Sequence, residues 1–385
     1  MSAILSVIPV ILLFVLMLGL KLAGHKSAVI TLCVTIILAL VAAPQLGMLP
    51  DAFKASGIFE VVGWSIVEGM LKAVFPILII ILMAIYSYNI LVESRQIEVI
   101  KRQFTAITSD KGILVLMLVW GFGGLLEGFG TAVAIPAAIL IGLGFKPMFS
   151  ALVALIGNTV ATGFGAVGVP VTTLCNEVAP GGAAPVEAIC ETSSFAVIQL
   201  APLFILLPFI ILTLTDRKAI VKNIILSLWV GGISVVVQYL CAHFLGSETP
   251  AIIGSVAAIL AILLYVKLFD RKGREDLPTA RYSLGETCKA WSVYLFILLL
   301  ILVSGALCPP VNDFLKSHLV SKVAIPVIGS TFKFGWISNA GLMLFLGATI
   351  GGLIQGLSFG RMMRILARTT VNLKNTIITI ICLIS

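Results

Sequence analysis

Gly121-Phe122-Gly123-Gly124-Leu125-Leu126-Glu127-Gly128-Phe129-Gly130-Thr131 decides how this chain is read. Five glycines fall within ten residues, and Glu127 stands among them with apolar sequence on both sides. Each glycine costs a helix up to about 1 kcal/mol relative to alanine, so an unbroken helix through the stretch is disfavoured. The flanking runs, at 113–127 and 130–145, are each about 22 Å long as helices, short of the ~30 Å hydrocarbon core. The stretch therefore predicts a helical hairpin. Either its tip stops inside the membrane with Glu127 near it, or the tip reaches the outer surface as an exposed turn. An ionised acid at the bilayer centre costs ~2.5–3.5 kcal/mol on insertion scales. The first reading therefore needs Glu127 paired, neutral or facing water.

The rest of the chain places that hairpin in a membrane. Of 385 residues, 60% are hydrophobic and 11% charged, against about 25% charged in soluble domains. A soluble enzyme, a disordered tail and a nucleic-acid binder are excluded together. Further apolar runs fall at 4–20, 28–43, 71–92, 148–169, 193–214, 223–245, 250–269, 290–307 and 337–357, and another starts near Asn375. Lipid offers no partner to unpaired backbone, so these runs are helices. The expected fold is an all-α polytopic membrane protein with about ten to twelve crossings. Residues 1–385 form a single transmembrane domain, with discontinuous or re-entrant segments. Ala52–Met70 is mixed and reads as an interfacial helix, and Pro309–Phe334 as an irregular outer connection.

The excess of 25 Lys and Arg over 17 Asp and Glu is an orientation signal. With the N-terminus outside and every run reversing direction, the outer side keeps only Lys54, Lys72, Lys316, Lys322 and Lys333. The other cations fall inside, whereas acids divide evenly between the faces, with Glu127 apart. The first run has no preceding cation and no small-residue cleavage site, so it reads as a retained helix rather than a signal peptide. Seven scattered cysteines and three histidines offer no metal-ligand spacing, and no cofactor is expected. Cys175 and Cys190 share one outer connection and are the one pair placed to form a disulfide.

A second polar, glycine-rich cluster follows the hairpin: Gly157-Asn158-Thr159-Val160-Ala161-Thr162-Gly163-Phe164-Gly165-Ala166-Val167-Gly168-Val169-Pro170. An amide and a hydroxyl inside an apolar run are costly unless bonded. They bond a neighbouring helix, or they coordinate a substrate or ion. Broken helices near the midplane are the usual binding device of secondary transporters, because free N–H groups at half-helix starts attract anions.

These residues resemble the L-lactate permease family. The likeness runs from Trp120 through Glu127-Gly128-Phe129-Gly130-Thr131 and Val133-Ala134-Ile135. It continues through Ile141-Gly142-Leu143-Gly144-Phe145-Lys146-Pro147 to Gly157-Asn158-Thr159, Gly163-Phe164-Gly165-Ala166 and Gly168-Val169-Pro170. Two departures stand out. Glu127-Gly128 runs straight into Phe129 where the family has a longer stretch, and Ala132 stands in place of a proline. The family's later polar motifs are absent, and the chain ends at Ser385 inside an apolar run, so it is expected to be truncated at its C-terminal end.

The resemblance implies a multi-pass carrier of the bacterial inner membrane that imports L-lactate, and often D-lactate or glycolate, with protons. It also implies an inverted-repeat architecture, of which this chain is the larger part. Gly351-Gly352-Leu353-Ile354-Gln355-Gly356, in a span of opposite direction, is a faint echo of Gly123–Gly128. The expected substrate-binding residues are Gly128, Phe129, Gly130, Thr131, Asn158, Thr159, Gly163 and Gly165, with Glu127 as the proton carrier. The expected partners are a small monocarboxylate, protons and the lipid bilayer, with no nucleic acid. Oligomeric state stays open between monomer and homo-oligomer. Three other readings stay open: a carrier of another small carboxylate coupled to Na⁺, a passive channel, and a non-functional truncated permease. An intramembrane enzyme is disfavoured, because His25, His243 and His318 lie at loops or ends and Glu127 has no acidic partner within a span.

Overall fold

The computed structural model describes residues 2–45, 57–128, 133–161, 163–179, 184–269, 283–305, 308–326 and 330–385. The chain starts with α1 (Ser2–Phe14), which widens into a π-helical turn at Val15–Gly19, and α2 (Gly24–Gln45). Next come α3 (Ile58–Lys72), a π-helical stretch at Ala73–Leu78 and α4 (Ile79–Glu93). Phe75 (φ −119°, ψ 105°) kinks this long element just before Pro76, because proline excludes the helical conformation from the residue preceding it. Of the mixed segment expected at the interface, residues 52–56 lie outside the described residues, and from Ile58 on it is helical and joined to the following span through a kink.

An amphipathic α5 (Gln96–Thr105) leads to α6 (Lys111–Leu116), capped by the Asp110 carboxylate on the Ile113 N–H at 3.0 Å. A π-helical stretch (Met117–Phe122) continues α6 into α7 (Gly123–Gly128), and α8 (Ala134–Gly142) follows. Then come α9 (Pro147–Ala161) and α10 (Gly165–Val178). The long helices α11 (Val186–Thr215), α12 (Ile220–Leu245) and α13 (Pro250–Phe269) pack successively, and α14 (Leu284–Ser304) completes the long set. The connection after α14 holds a short α15 (Pro309–Ser317) and an antiparallel hairpin of β1 (Val320–Ile325) with β2 (Ser330–Gly335). The expectation of an irregular segment there is corrected: its described residues form a helix and a β-hairpin. After it come α16 (Ala340–Ile354), the amphipathic α17 (Phe359–Asn372) and α18 (Lys374–Ile384).

Among the described residues, six helices are long and apolar enough to cross a membrane, and shorter apolar helices account for the remaining runs. The protein is an all-α polytopic membrane protein. Large apolar side chains are exposed along its length, such as Leu18, Leu155, Val236 and Leu260. In water that surface would be a liability; in lipid it is the wetted face. The core holds Tyr86, Phe122, Phe204 and Met117, all fully buried.

Contacts divide the loops into two sets. At one end Lys72 pairs with Glu177 at 2.7 Å, Phe75 packs on Phe334 at 4.7 Å, and the Thr172 and Ser247 hydroxyls share a hydrogen bond of 2.6 Å. At the other end Arg361 donates to Glu93 at 2.5 Å, Lys222 pairs with Asp110, and Ser94 donates to Gln355 at 2.7 Å. These are the two groups into which the cation pattern divides the loops. Cys175 and Cys190 are both free thiols, so the disulfide does not form.

Candidate functional site

The hairpin is present and its arms are paired. Helix α8 packs back against Met117–Phe122, and Pro136 lies beside Gly123, so that a methyl there would sit 3.2 Å from the proline ring. The outer face of the arm packs on α13: Gly121 lies against Ile259 and Gly124 against Ser255. That contact gives a depth scale. Ile259 lies about 13 Å along α13 from its first residue and Ser255 about 7 Å. Helix α7 runs towards the start of α13, so the Glu127 backbone lies within about one turn of the level of Pro250. The glycine-rich stretch thus carries the backbone of Glu127 towards the Pro250 end of α13 rather than its middle. The Glu127 side chain, together with Phe129, Gly130 and Thr131, lies outside the described residues. Gly128 is the last residue of α7.

The second cluster is not one span, as its apolar run suggested, but two helices. Helix α9 packs beside α8 and α7, and Gly157 sits so tightly on Val119 that no side chain fits between them. Val119 is two residues before Gly121, which places Asn158 near the mid-depth of α13. Asn158 is half-buried and has a bonded or electrostatic partner. Thr159 is exposed, and its hydroxyl donates to the Leu155 carbonyl at 3.1 Å. That is how a helix ordinarily absorbs a threonine, so Thr159 is occupied where the sequence suggested a free ligand.

Beyond Ala161 the helix stops. Gly163 lies in a turn, half-buried beside Leu200, and Gly165 opens α10 and is buried. The backbone then takes an unusual course: Val167 has φ 60° and Gly168 φ 73°. For a β-branched residue a positive φ is a genuine outlier, and such strain persists only where surrounding packing enforces it. Gly168 supplies the reason, because its Cα is pressed against the Ser247 carbonyl and the Glu248 N–H in the α12–α13 loop, with no room for a Cβ. Thr172 holds the same loop through Ser247.

Helix α7 packs against both α9 and α10, which sets the two glycine-rich stretches side by side. Gly128 ends α7, Asn158 lies on α9, Gly163 in the turn after it and Gly165 at the start of α10, so the helices that carry them are neighbours. The chemistry there suits an anion. At the start of α10 the Gly168 N–H donates to the Phe164 carbonyl at 3.2 Å, and helix starts favour negative charge. Among the described residues no group of histidine, cysteine and acid side chains could hold a metal ion.

A family model described as L-lactate permease matches residues 2–385. The chain belongs to the L-lactate permease family. It is accordingly a membrane transporter rather than an enzyme. An L-lactate permease of Streptococcus iniae is 32% identical across 100% of this chain and 78% of its own length. The glycolate permease GlcA of Escherichia coli (strain K12) is 30% identical over 99% of this chain and 72% of its own length. An L-lactate permease of Bacillus subtilis (strain 168) is 29% identical; the match takes in 89% of this chain and 59% of that protein. No solved structure gives a significant match. The sequence named the two clusters but missed Ser247, since its partner Gly168 lies 79 residues earlier in the chain. Only the unusual density of glycine around position 168 hinted at a close approach.

Proposed function

We propose that this permease carries a small 2-hydroxymonocarboxylate, L-lactate foremost and D-lactate or glycolate with it, into the cell together with a proton. The membrane would be the bacterial inner membrane, with the N-terminus outside. The observation that carries the reading is the juxtaposition of the hairpin arm with the break between α9 and α10. It joins an anion-attracting helix start, a mid-depth amide and the backbone that bears an acid. Relatives named for lactate and glycolate set the substrate class. The concentration of cations on one side of the membrane supports the orientation.

In this mechanism the substrate carboxylate meets N–H groups around Gly128, Phe129, Gly130 and Thr131 and at Gly163 and Gly165. Asn158 supplies the polar contact at depth, with Thr159 beside it. Glu127 takes up a proton before or with the anion. An ionised Glu127 would repel the substrate carboxylate, so loading both keeps the occupied site neutral. Substrate and proton then leave together on the other side. Gly123–Gly128 and Gly351–Gly356 are read as traces of an inverted repeat. The test is uptake into proteoliposomes holding the purified protein, with an inward proton gradient or an inward Na⁺ gradient. Accumulation of lactate and glycolate driven by protons alone is expected; accumulation that follows Na⁺ instead would overturn the coupling.

A further inference from the structure

Helix α17 and the start of α18 carry charge that nothing in the fold absorbs. Residues 359–385 contain Arg361, Arg364, Arg368 and Lys374 and no acid. Arg361 is taken up by Glu93. The other three are exposed, and among the described residues none of them has an acidic partner. Arg364 and Arg368 stand one turn apart on the same helix, a spacing at which like charges destabilise it. The opposite face holds α17 in place: Met362 is fully buried, and the Asn89 amide of α4 donates to the Thr369 hydroxyl at 2.7 Å. The helix is therefore docked on α4 with unmatched cations left on its outer side.

A cavity of about 210 Å³ begins where these cations end. Leu373, Ile377 and Ile381 form one wall, and Leu78 and Leu82, from the π-helical stretch and α4, form the other. Thr376 is the one lining residue with a polar side chain. The space equals that of about seven water molecules, each of which needs roughly two to four polar partners, so water is not its natural filling. Leu373 precedes Lys374 directly and lies about 8 Å along the helix from Arg368. Cations and aliphatic groove thus follow one another along a single path.

We propose that this path binds one anionic phospholipid, its phosphate held by Arg368 and Lys374 and one acyl chain filling the cavity between α4 and α18. Arg364, one turn further back, adds to the attraction. A guanidinium presents its donors in a fork that matches phosphate oxygens, and the like-charge repulsion along α17 is relieved by an anion between the cations. The acyl chain makes the dispersion contacts that the two walls of the groove do not make with each other. A free phosphate would meet the cations but leave the cavity empty, so the lipid is the occupant that uses both features. Basic side chains beside a groove between membrane helices are a recurring way to hold acidic lipid head groups. The bound lipid bridges α17 and α18 to α4, whatever substrate the protein carries.

The experiment titrates the full chain, purified in detergent and stripped of lipid, with phosphatidylglycerol and separately with phosphatidylcholine of the same acyl chains. Bound lipid is counted by native mass spectrometry, and the midpoint of thermal unfolding is followed in parallel. Phosphatidylglycerol should bind about tenfold or more tightly than phosphatidylcholine, and it should raise the midpoint by an amount that shrinks as salt is added. Arg364→Gln, Arg368→Gln and Lys374→Gln together should remove the preference, by about fivefold for each charge. These positions are exposed, so the lipid-free midpoint should stay within about 2 °C of the parent's. Ile377→Trp fills the groove and keeps every cation; it should weaken long-chain phosphatidylglycerol by about tenfold, the worth of roughly two buried methylene groups. Glycerol phosphate, a head without a tail, should not compete at equal concentration. Equal binding of the two lipids, or a triple variant with the parent's preference, would overturn the site. Competition by glycerol phosphate, or a dimer of the chain that the triple variant dissolves with no lipid bound, would overturn the lipid as its occupant.

Discussion

Two ends of the molecule carry nearly the same six residues: Gly123-Gly124-Leu125-Leu126-Glu127-Gly128 and Gly351-Gly352-Leu353-Ile354-Gln355-Gly356. Both finish a helix, α7 towards one face and α16 towards the other. At the second end every feature is structural. Gly351 lets α16 close on α14, where a methyl would lie 2.5 Å from the Val293 Cα. Gly356, at φ 95°, ends the helix; its own N–H donates to Leu353 at 3.0 Å, and the Leu357 N–H donates to Gly352 at 3.0 Å. The Gln355 amide donates to the Lys289 and Ala290 carbonyls and to Ser292, and it accepts from Ser94. At the first end the small residues make the same kind of close packing, on Ser255 and Ile259, but the chain goes on into a hairpin and the glutamine position is an acid. The difference teaches what the glycines cannot show alone. Close packing is common to both ends, and the ionisable group beside a broken helix belongs to one.

The comparison can be broken by exchanging the distinguishing residues. Glu127→Gln makes the first end read like the second. Proton-driven lactate accumulation should fall by about 100-fold, the size of a lost proton-transfer group, while exchange across the membrane persists. Uphill uptake at the parental level would remove Glu127 from the mechanism. Gln355→Glu is the reverse exchange, and it puts an acceptor-only group against two carbonyls. It should destabilise the fold by about 3 kcal/mol, read as a lower midpoint in thermal unfolding in detergent, with transport per folded molecule unchanged.

Gly157→Val tests the seam between the two clusters. It should cost about 1–3 kcal/mol by overpacking, with partial recovery when Val119→Ala makes room. Failure of the pair to recover would place Gly157 elsewhere than against Val119. The smallest effect is expected at the opposite face, where Arg361 and Glu93 form an exposed pair. Glu93→Ala should change stability by less than about 1 kcal/mol and leave uptake unaltered.

Hydropathy made the helices and their two-sided arrangement legible, because lipid removes every alternative for an apolar backbone. The hairpin was legible too, from run lengths shorter than the membrane and five glycines between them. The break after Ala161 was half-visible: the polar residues marked the place, but the run 148–169 stays apolar throughout and reads as one span. Nothing local marks Val167 for a positive φ. Its conformation comes from the α12–α13 loop pressing on Gly168, a contact made across distant sequence. The β-hairpin was missed because β1 is largely exposed and lacks alternation, while β2 alternates, with Phe332 and Phe334 less exposed than Thr331 and Lys333, over only six residues.

The most direct measurement follows internal pH in proteoliposomes with a trapped dye as lactate is added outside, with no imposed gradient. If the acid-bearing end is the site of coupled transport, the parent should acidify the interior in step with labelled lactate entry, and Glu127→Gln should uncouple the two. Equal acidification and equal lactate entry in parent and variant would contradict the assignment of proton coupling to Glu127.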